Sequence, residues 1–243
     1  MNYLNSKLMI ISYVNAHKML VPPIVLVLMY WFHNWSTEAF VYLGLHGTYA
    51  MLWLVKEASY PDKRFQERLP FWIGTFFVFV PLGGYYIAPY LLISRHVSLQ
   101  PWVFGFALCC YTVGIFLHYV GDAQKYYTLR LRSGLIEDGL FARTRNPNYL
   151  GETLIYISFA ILSWHWLPFL VLGGWLCFFI ANMRRKDRSL ARYPGFAAYK
   201  ARTGIFLPSI AGGQCQVLLG ALFNRTRTRR SGGCSQNLNT QVY

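Results

Sequence analysis

Long apolar runs separated by short polar breaks set the plan of the chain. Four runs, at 19–33, 37–55, 71–93 and 101–120, have spanning or near-spanning length. A fifth, 149–182, is 34 residues long and is broken by "SWHWLP". A helix crossing a bilayer takes about 20 residues. The fifth run therefore predicts a tight hairpin of two rather short helices. The expected fold is all-α: a polytopic integral membrane bundle of about six transmembrane segments that ends in a helical hairpin. Pro and Gly in "VPPIV" (21–25) and "FVPLGGYY" (79–86) predict perturbed helix, tolerated in membranes where neighbouring groups re-satisfy the backbone.

Composition agrees with this plan. Of 243 residues, 55% are apolar and only 13% charged, against about a quarter charged in soluble domains. Mean hydropathy is +0.29. The net charge of +14 is unevenly spread. With the N-terminus in the cytosol, the outer connections are 34–36, 94–100 and 163–166. Only Arg95 of the 23 Lys and Arg residues then lies outside. That asymmetry orients the chain with both termini cytosolic. Residues 1–18 are expected to form a short lead segment. Residues 1–208 form one membrane domain, and 209–243 a basic, disordered cytosolic tail. The five cysteines have neither metal nor disulfide spacing and read as structural thiols. No metal site and no nucleic-acid partner are expected, and the oligomeric state is left open.

Polar residues next to the apolar runs carry the candidate chemistry. His118, Asp122 and Lys125 are spaced i, i+4, i+7 and share one helical face. A carboxylate beside a histidine near the bilayer lines a cavity or a site. In "RTRNPNYLGE", Pro147 suits the first turn of a helix. Arg145 and Asn148 flank that helix N-terminus, a combination that favours anions. Glu152 lies a turn deeper and needs a partner: an ion pair to Arg184 or Arg185, or a ligand. Beyond the hairpin, "RRKDRS" sets four basic residues around Asp187. Two basic segments thus leave the bundle on one side, where a pocket for a large polyanionic cofactor would explain both.

The segment from about 114 to 208 resembles the C-terminal half of the membrane reductases that include the steroid 5α-reductases and sterol C14-reductases. It is also similar to the related isoprenylcysteine and phospholipid methyltransferases. The resemblance rests on "GDAQK", "GLFARTRNPNYLGE" and "RRKDRSLARYPGFAAYKARTGIFLP", in that order. Asn146 stands where the family motif commonly has histidine. The resemblance implies an NADPH pocket facing the cytosol. Asp122, Lys125, Arg145, Asn148, Tyr149, Glu152, Arg184, Asp187 and Tyr199 would lie on the cofactor, with His118 beside them. The methyltransferases place S-adenosylmethionine there instead. Four basic residues around one Asp suit the phosphates of NADPH better than a sulfonium cation.

A reductase of a double bond conjugated to a carbonyl needs an acid on the carbonyl oxygen. In the 5α-reductases a tyrosine and a glutamate of the early helices fill this role. Tyr49, His46 and Glu38 on the second helix are the candidates, with Tyr42, Tyr85 and Tyr86 as rivals. The expected activity is NADPH-dependent reduction of a carbon–carbon double bond in a lipid-like substrate (steroid, sterol, enoyl lipid or polyprenoid). That substrate would bind in the 19–120 half, and the cofactor in the 121–208 half. The alternative is a membrane methyltransferase. Partners are membrane lipids and the substrate. The membrane would be the endoplasmic reticulum in a eukaryote or the inner membrane in a bacterium.

Overall fold

The computed structural model describes residues 7–209. The tail expected from 209 onward lies, apart from Ser209, outside the described residues, as do residues 1–6 of the lead segment. The described chain is 76% helical. The long elements are α1 (Ile10–Trp31), α2 (Thr37–Ser59), α3 (Phe71–Ser94), α4 (Pro101–Leu131), α5 (Pro147–Leu162) and α6 (Leu167–Leu190), followed by short α7 (Phe196–Arg202). An antiparallel ribbon pairs β1 (Lys7–Met9) with β2 (Arg68–Pro70), with Lys7 opposite Pro70. It ties the start of the chain to the α2–α3 connection.

Two boundaries differ from the sequence expectation. Helix α1 begins at Ile10 rather than 19, so His17 and Lys18 belong to its interior, not to a lead segment. Helix α4 continues to Leu131, well past the apolar run, and Gln124 in its polar part bonds Asp138 O and Leu140 N of the following loop. The count of membrane segments also changes. Among the described residues four helices, α1, α3, α4 and α6, are long and apolar enough to cross a membrane. The other two expected segments fall short for different reasons. Helix α2 carries Glu38, His46, Lys56 and Glu57. Helix α5 has 16 residues, about 24 Å of rise against a hydrocarbon core of about 30 Å. Ten of those sixteen residues are buried, so α5 is wrapped by its neighbours.

Helix α3 is broken as "FVPLGGYY" predicts. A π-turn spans Thr75–Phe79, just before Pro81, and a 3₁₀ turn spans Gly84–Tyr86. Proline lacks the N–H that would continue the α-helical ladder, and the wide turn absorbs the mismatch.

The closest helix pair is α4 on α5. A Cβ on Gly114 would sit 2.7 Å from Gly151 O, and one on Gly151 would overlap His118 N and lie 2.6 Å from Gly114 O. Glycine at both positions lets the two backbones touch, a frequent device where small residues face each other between membrane helices. This crossing places His118 and Asp122 against the first turn of α5.

At one end of the bundle three helices stop in the same way. His33, His96 and Trp164 follow α1, α3 and α5 with φ of 49°, 46° and 46°. After α1, Asn34 N bonds Met29 O (3.0 Å) and His33 N bonds Tyr30 O (3.2 Å); after α3, Val97 N and His96 N repeat the pair on Leu92 O and Ile93 O. These are left-handed caps that usually carry glycine. Asn34 Nδ2 bonds Ile93 O (2.8 Å), and Trp102 meets Trp164 edge-on, so the three loops share one end. Exposed Trp31, Trp35, Trp102, Trp164 and Trp166 ring that end, as aromatic belts do at a membrane–water interface. These features are compatible with an integral membrane protein.

Candidate functional site

At the opposite end, "RTRN" enters α5 with Pro147 at its first turn, as the sequence predicts. The segment is pinned to "TGIF" after α7. Thr144 bridges Gly204, Arg145 N bonds Gly204 O (2.9 Å), Thr144 Oγ1 bonds Phe206 O (2.8 Å) and Asn146 Nδ2 bonds Ile205 O (2.7 Å). Arg145 is buried, and its guanidinium forks onto Asp187: Nε to Oδ1 at 3.0 Å and a second N–H to Oδ2 at 2.9 Å. Its remaining donors reach Thr203 O and Thr203 Oγ1. Every strong donor of Arg145 is therefore engaged within the protein. Arg145 and Asp187 thus clamp the loops that form the cavity, and Arg145 also stands in its wall.

Those loops enclose a cavity of about 430 Å³. Its walls carry six basic side chains: Arg64, Lys125, Arg145, Arg185, Lys186 and Arg192, and no carboxylate. They come from four different stretches of chain. Lys186 Nζ is held by Arg145 O (2.8 Å) and Asn146 Oδ1 (3.0 Å). Lys125 Nζ pairs with Asp62 Oδ2 (3.1 Å). Burial alone would raise the Asp62 carboxyl, but Lys125 and the Arg64 N–H outweigh it and hold it below its usual value. The stabilisation from this bridge is thus present above the ordinary carboxylate range and fades as pH falls through the lowered value. Arg185 is exposed and has no hydrogen-bond partner among the described residues. Tyr149, Tyr193 and Tyr199 add aromatic faces. Tyr199 donates to Phe141 O (2.9 Å), and burial pushes its phenol up to about 12.

The remaining expected cofactor residues divide. Asn148 does not line the cavity; it links α5 to α4, donating to Asp122 Oδ1 (3.0 Å) while its carbonyl meets His118 Nδ1 (3.2 Å). Asp122 also faces buried Lys56 at 3.5 Å. Arg184 is exposed and outside the cavity wall. Glu152 pairs with neither Arg184 nor Arg185; its Oε1 lies 3.5 Å from the Tyr49 hydroxyl, at the limit of a hydrogen bond. Tyr149, Glu152 and Tyr156 stand at i, i+3, i+7, so one stripe of α5 runs from the cavity into the bundle.

The bundle interior holds a second polar cluster. Tyr49 and His46 are fully buried, as expected for inward-facing residues of α2. His46 Nδ1 lies 3.1 Å from the Tyr42 hydroxyl, and its ring stacks on Phe159. Glu38 is not part of this cluster. It sits at the far end of α2, where Oε1 accepts Leu99 N (3.1 Å) and fastens the α3–α4 loop. Two members of the cluster escaped sequence reasoning. Lys18 Nζ donates to the Tyr156 hydroxyl (3.2 Å) and lies 4.0 Å above the Tyr49 ring. The available signal was a lysine set directly before the apolar run that contains "VPPIV".

Residues 18–203 match the family described as a protein of unknown function, DUF1295. The chain belongs to the DUF1295 family. That family is associated with the steroid 5α-reductase-like superfamily, in line with the resemblance drawn from the motifs. The match runs from Lys18 to Thr203, so it contains both the basic cavity and the interior cluster. Two uncharacterised proteins of Schizosaccharomyces pombe are similar to this DUF1295 chain. One is 35% identical over 75 residues, 28% of this chain and 26% of the relative. The other is 31% identical over 104 residues, 39% of this chain and 29% of the relative. The aligned region spans less than a third of either relative's length. No solved structure matches.

Proposed function

We propose that this DUF1295 protein is an NADPH-dependent membrane reductase acting on a carbon–carbon double bond of a lipid-like substrate. The observation that carries the reading is the basic cavity: six cationic side chains and no carboxylate around about 430 Å³. Such a wall favours a ligand with several phosphate charges and disfavours the sulfonium of S-adenosylmethionine. Arg145 is neutralised by Asp187 and Lys125 by Asp62. Arg64, Arg185, Lys186 and Arg192 would therefore hold the phosphates, with Tyr149 and Tyr193 beside them. When bound, NADPH supplies a hydride. The stripe from Tyr149 through Glu152 to Tyr156 connects this cavity with the polar interior, where a reducible substrate would be held. In this reading all six long helices traverse the bilayer, α2 and α5 sheltered by the others. Both termini and the cavity face the cytosol, in the endoplasmic reticulum of a eukaryote or the inner membrane of a bacterium.

Thermal unfolding of the purified protein in detergent tests the cofactor. NADPH at a hundredfold excess over its Kd should stabilise it by about 2.7 kcal/mol. An Arg185→Ala, Arg192→Ala double variant should keep its melting temperature without ligand and bind NADPH at least about tenfold more weakly. Stabilisation by S-adenosylhomocysteine and not by NADPH would overturn the reading in favour of methyl transfer.

A further inference from the structure

Helix α4 has 31 residues, a rise of about 46 Å, against a hydrocarbon core of about 30 Å. With the bilayer on its apolar run, which ends at 120, the last turns stand past the acyl chains. One face of those turns is open. Tyr60, Ala123, Tyr127, Thr128 and Leu131 line an apolar groove of about 430 Å³ there. It is separate from the basic cavity, which takes Lys125 and Leu129 from the same turns. Tyr127 is 51% exposed and Leu131 88%. The Tyr60 ring lies 6.3 Å from that of Tyr127 and forms one wall. Apolar surface of this kind, beyond the hydrocarbon, marks a place for a polypeptide partner rather than for lipid chains.

The chain itself leaves the described structure beside this groove. Gln124, which also lines it, holds the following loop: Oε1 accepts Leu140 N (3.1 Å) and Nε2 donates to Asp138 O (3.0 Å). Three residues after Leu140, Arg143 O accepts Ser209 N (2.9 Å). Three residues of chain span at most about 11 Å, so Ser209 is held close to the Gln124 edge of the groove. Residues 210–243 continue from that point. They are mostly polar and basic, with one apolar island, "QVLLGALF" at 216–223. In helical spacing Cys215, Leu218, Leu219 and Leu222 stand at i, i+3, i+4 and i+7, the pattern with which an amphipathic segment enters an apolar groove. Gln216, Gly220 and Asn224 take the other side. The stretch from Ser209 to Gln216 reaches about 24 Å when extended, and Gly212 and Gly213 within it let the chain turn back.

We propose that residues 216–223 of this chain dock in the groove at the end of α4, with Leu218, Leu219 and Leu222 packed against Tyr60, Tyr127 and Leu131. The docked segment braces Gln124 and, through it, the 138–140 loop that leads to Phe141 and Arg145 in the wall of the basic cavity. The proposal does not rest on the cofactor reading.

Hydrogen exchange read by mass spectrometry, on the full chain in detergent without nucleotide, tests it. The amides of 216–223 should exchange at least about tenfold more slowly than in a free peptide of the same sequence. Tyr127→Ser with Leu131→Ser, both at exposed positions, should bring them to the peptide's rate while the α5 amides keep theirs. Leu218→Ser, Leu219→Ser and Leu222→Ser together leave every described residue as it is, and should speed exchange of the α4 amides from 124 to 131. Peptide-like exchange in the wild type would overturn the proposal. So would protection that survives the groove changes, which would put the segment on the micelle surface, and protection that vanishes on dilution, which would put it on a second copy. Should the groove variant fail to fold, the tail variant decides: an unchanged rate at 124–131 overturns the proposal.

Discussion

Arg145→Met should destabilise the protein by about 3–5 kcal/mol, because it leaves Asp187 buried and unpaired. The same change strips donors from Thr203 O, so the α7 end of the chain loses its anchor to the "RTRN" segment. A double variant, Arg145→Met with Asp187→Leu, should recover a large part of the loss, since no isolated charge remains. Thermal unfolding in detergent, with the two single variants and the double variant compared, gives the coupling directly. In the proposed reading NADPH binding would fall in Arg145→Met as well, as a consequence of a deformed cavity. Were Arg145→Met as stable as the wild type, the clamp would be misassigned and Arg145 would return to the list of direct phosphate ligands.

The second large effect is at the α4–α5 crossing. Gly151→Ala puts a methyl group into His118 N and within 2.6 Å of Gly114 O. Both obstacles are backbone, so no side-chain rotation relieves the clash, and the helices must separate. Overpacking of this kind costs about 3 kcal/mol or more when backbone has to move. The separation would also pull Asn148 from Asp122 and shift Tyr149, which lines the cavity. Gly105→Ala on α4, where nothing lies within 4 Å, is the control. It should be neutral or stabilising by up to about 1 kcal/mol, since alanine is the better helix former. Yield of monodisperse protein and melting temperature separate the two variants.

The helices themselves were legible, because a run of apolar residues long enough to span a bilayer has few alternatives. So was the start of α5 at Pro147, where local backbone chemistry decides. The pairing of basic segments around one cavity was also readable, from their common side of the bundle. The role of each arginine was not. "RTRNPN" and "RRKDRS" present a similar row of charges, and only the fold shows that Arg145 and Asp187 neutralise each other while Arg185 stands free and Arg184 points away. Glu38 lies apart from the interior cluster for a related reason: helical spacing puts it in phase with His46 but says nothing about depth along the axis. Lys18 was missed because its neighbours are apolar on one side only. The chain before it lacks the hydropathy of a membrane segment, although the helix that contains Lys18 begins eight residues earlier.

The left-handed caps after α1, α3 and α5 offer a practical handle. His33 and His96 hold positive φ without the freedom glycine has there, at a cost of roughly 1 kcal/mol each. Neither imidazole is buried. Glycine at these two positions should therefore raise the melting temperature by a few degrees while leaving the basic cavity, at the opposite end of the bundle, untouched. Such a variant would be a better-behaved starting material for every binding measurement described above.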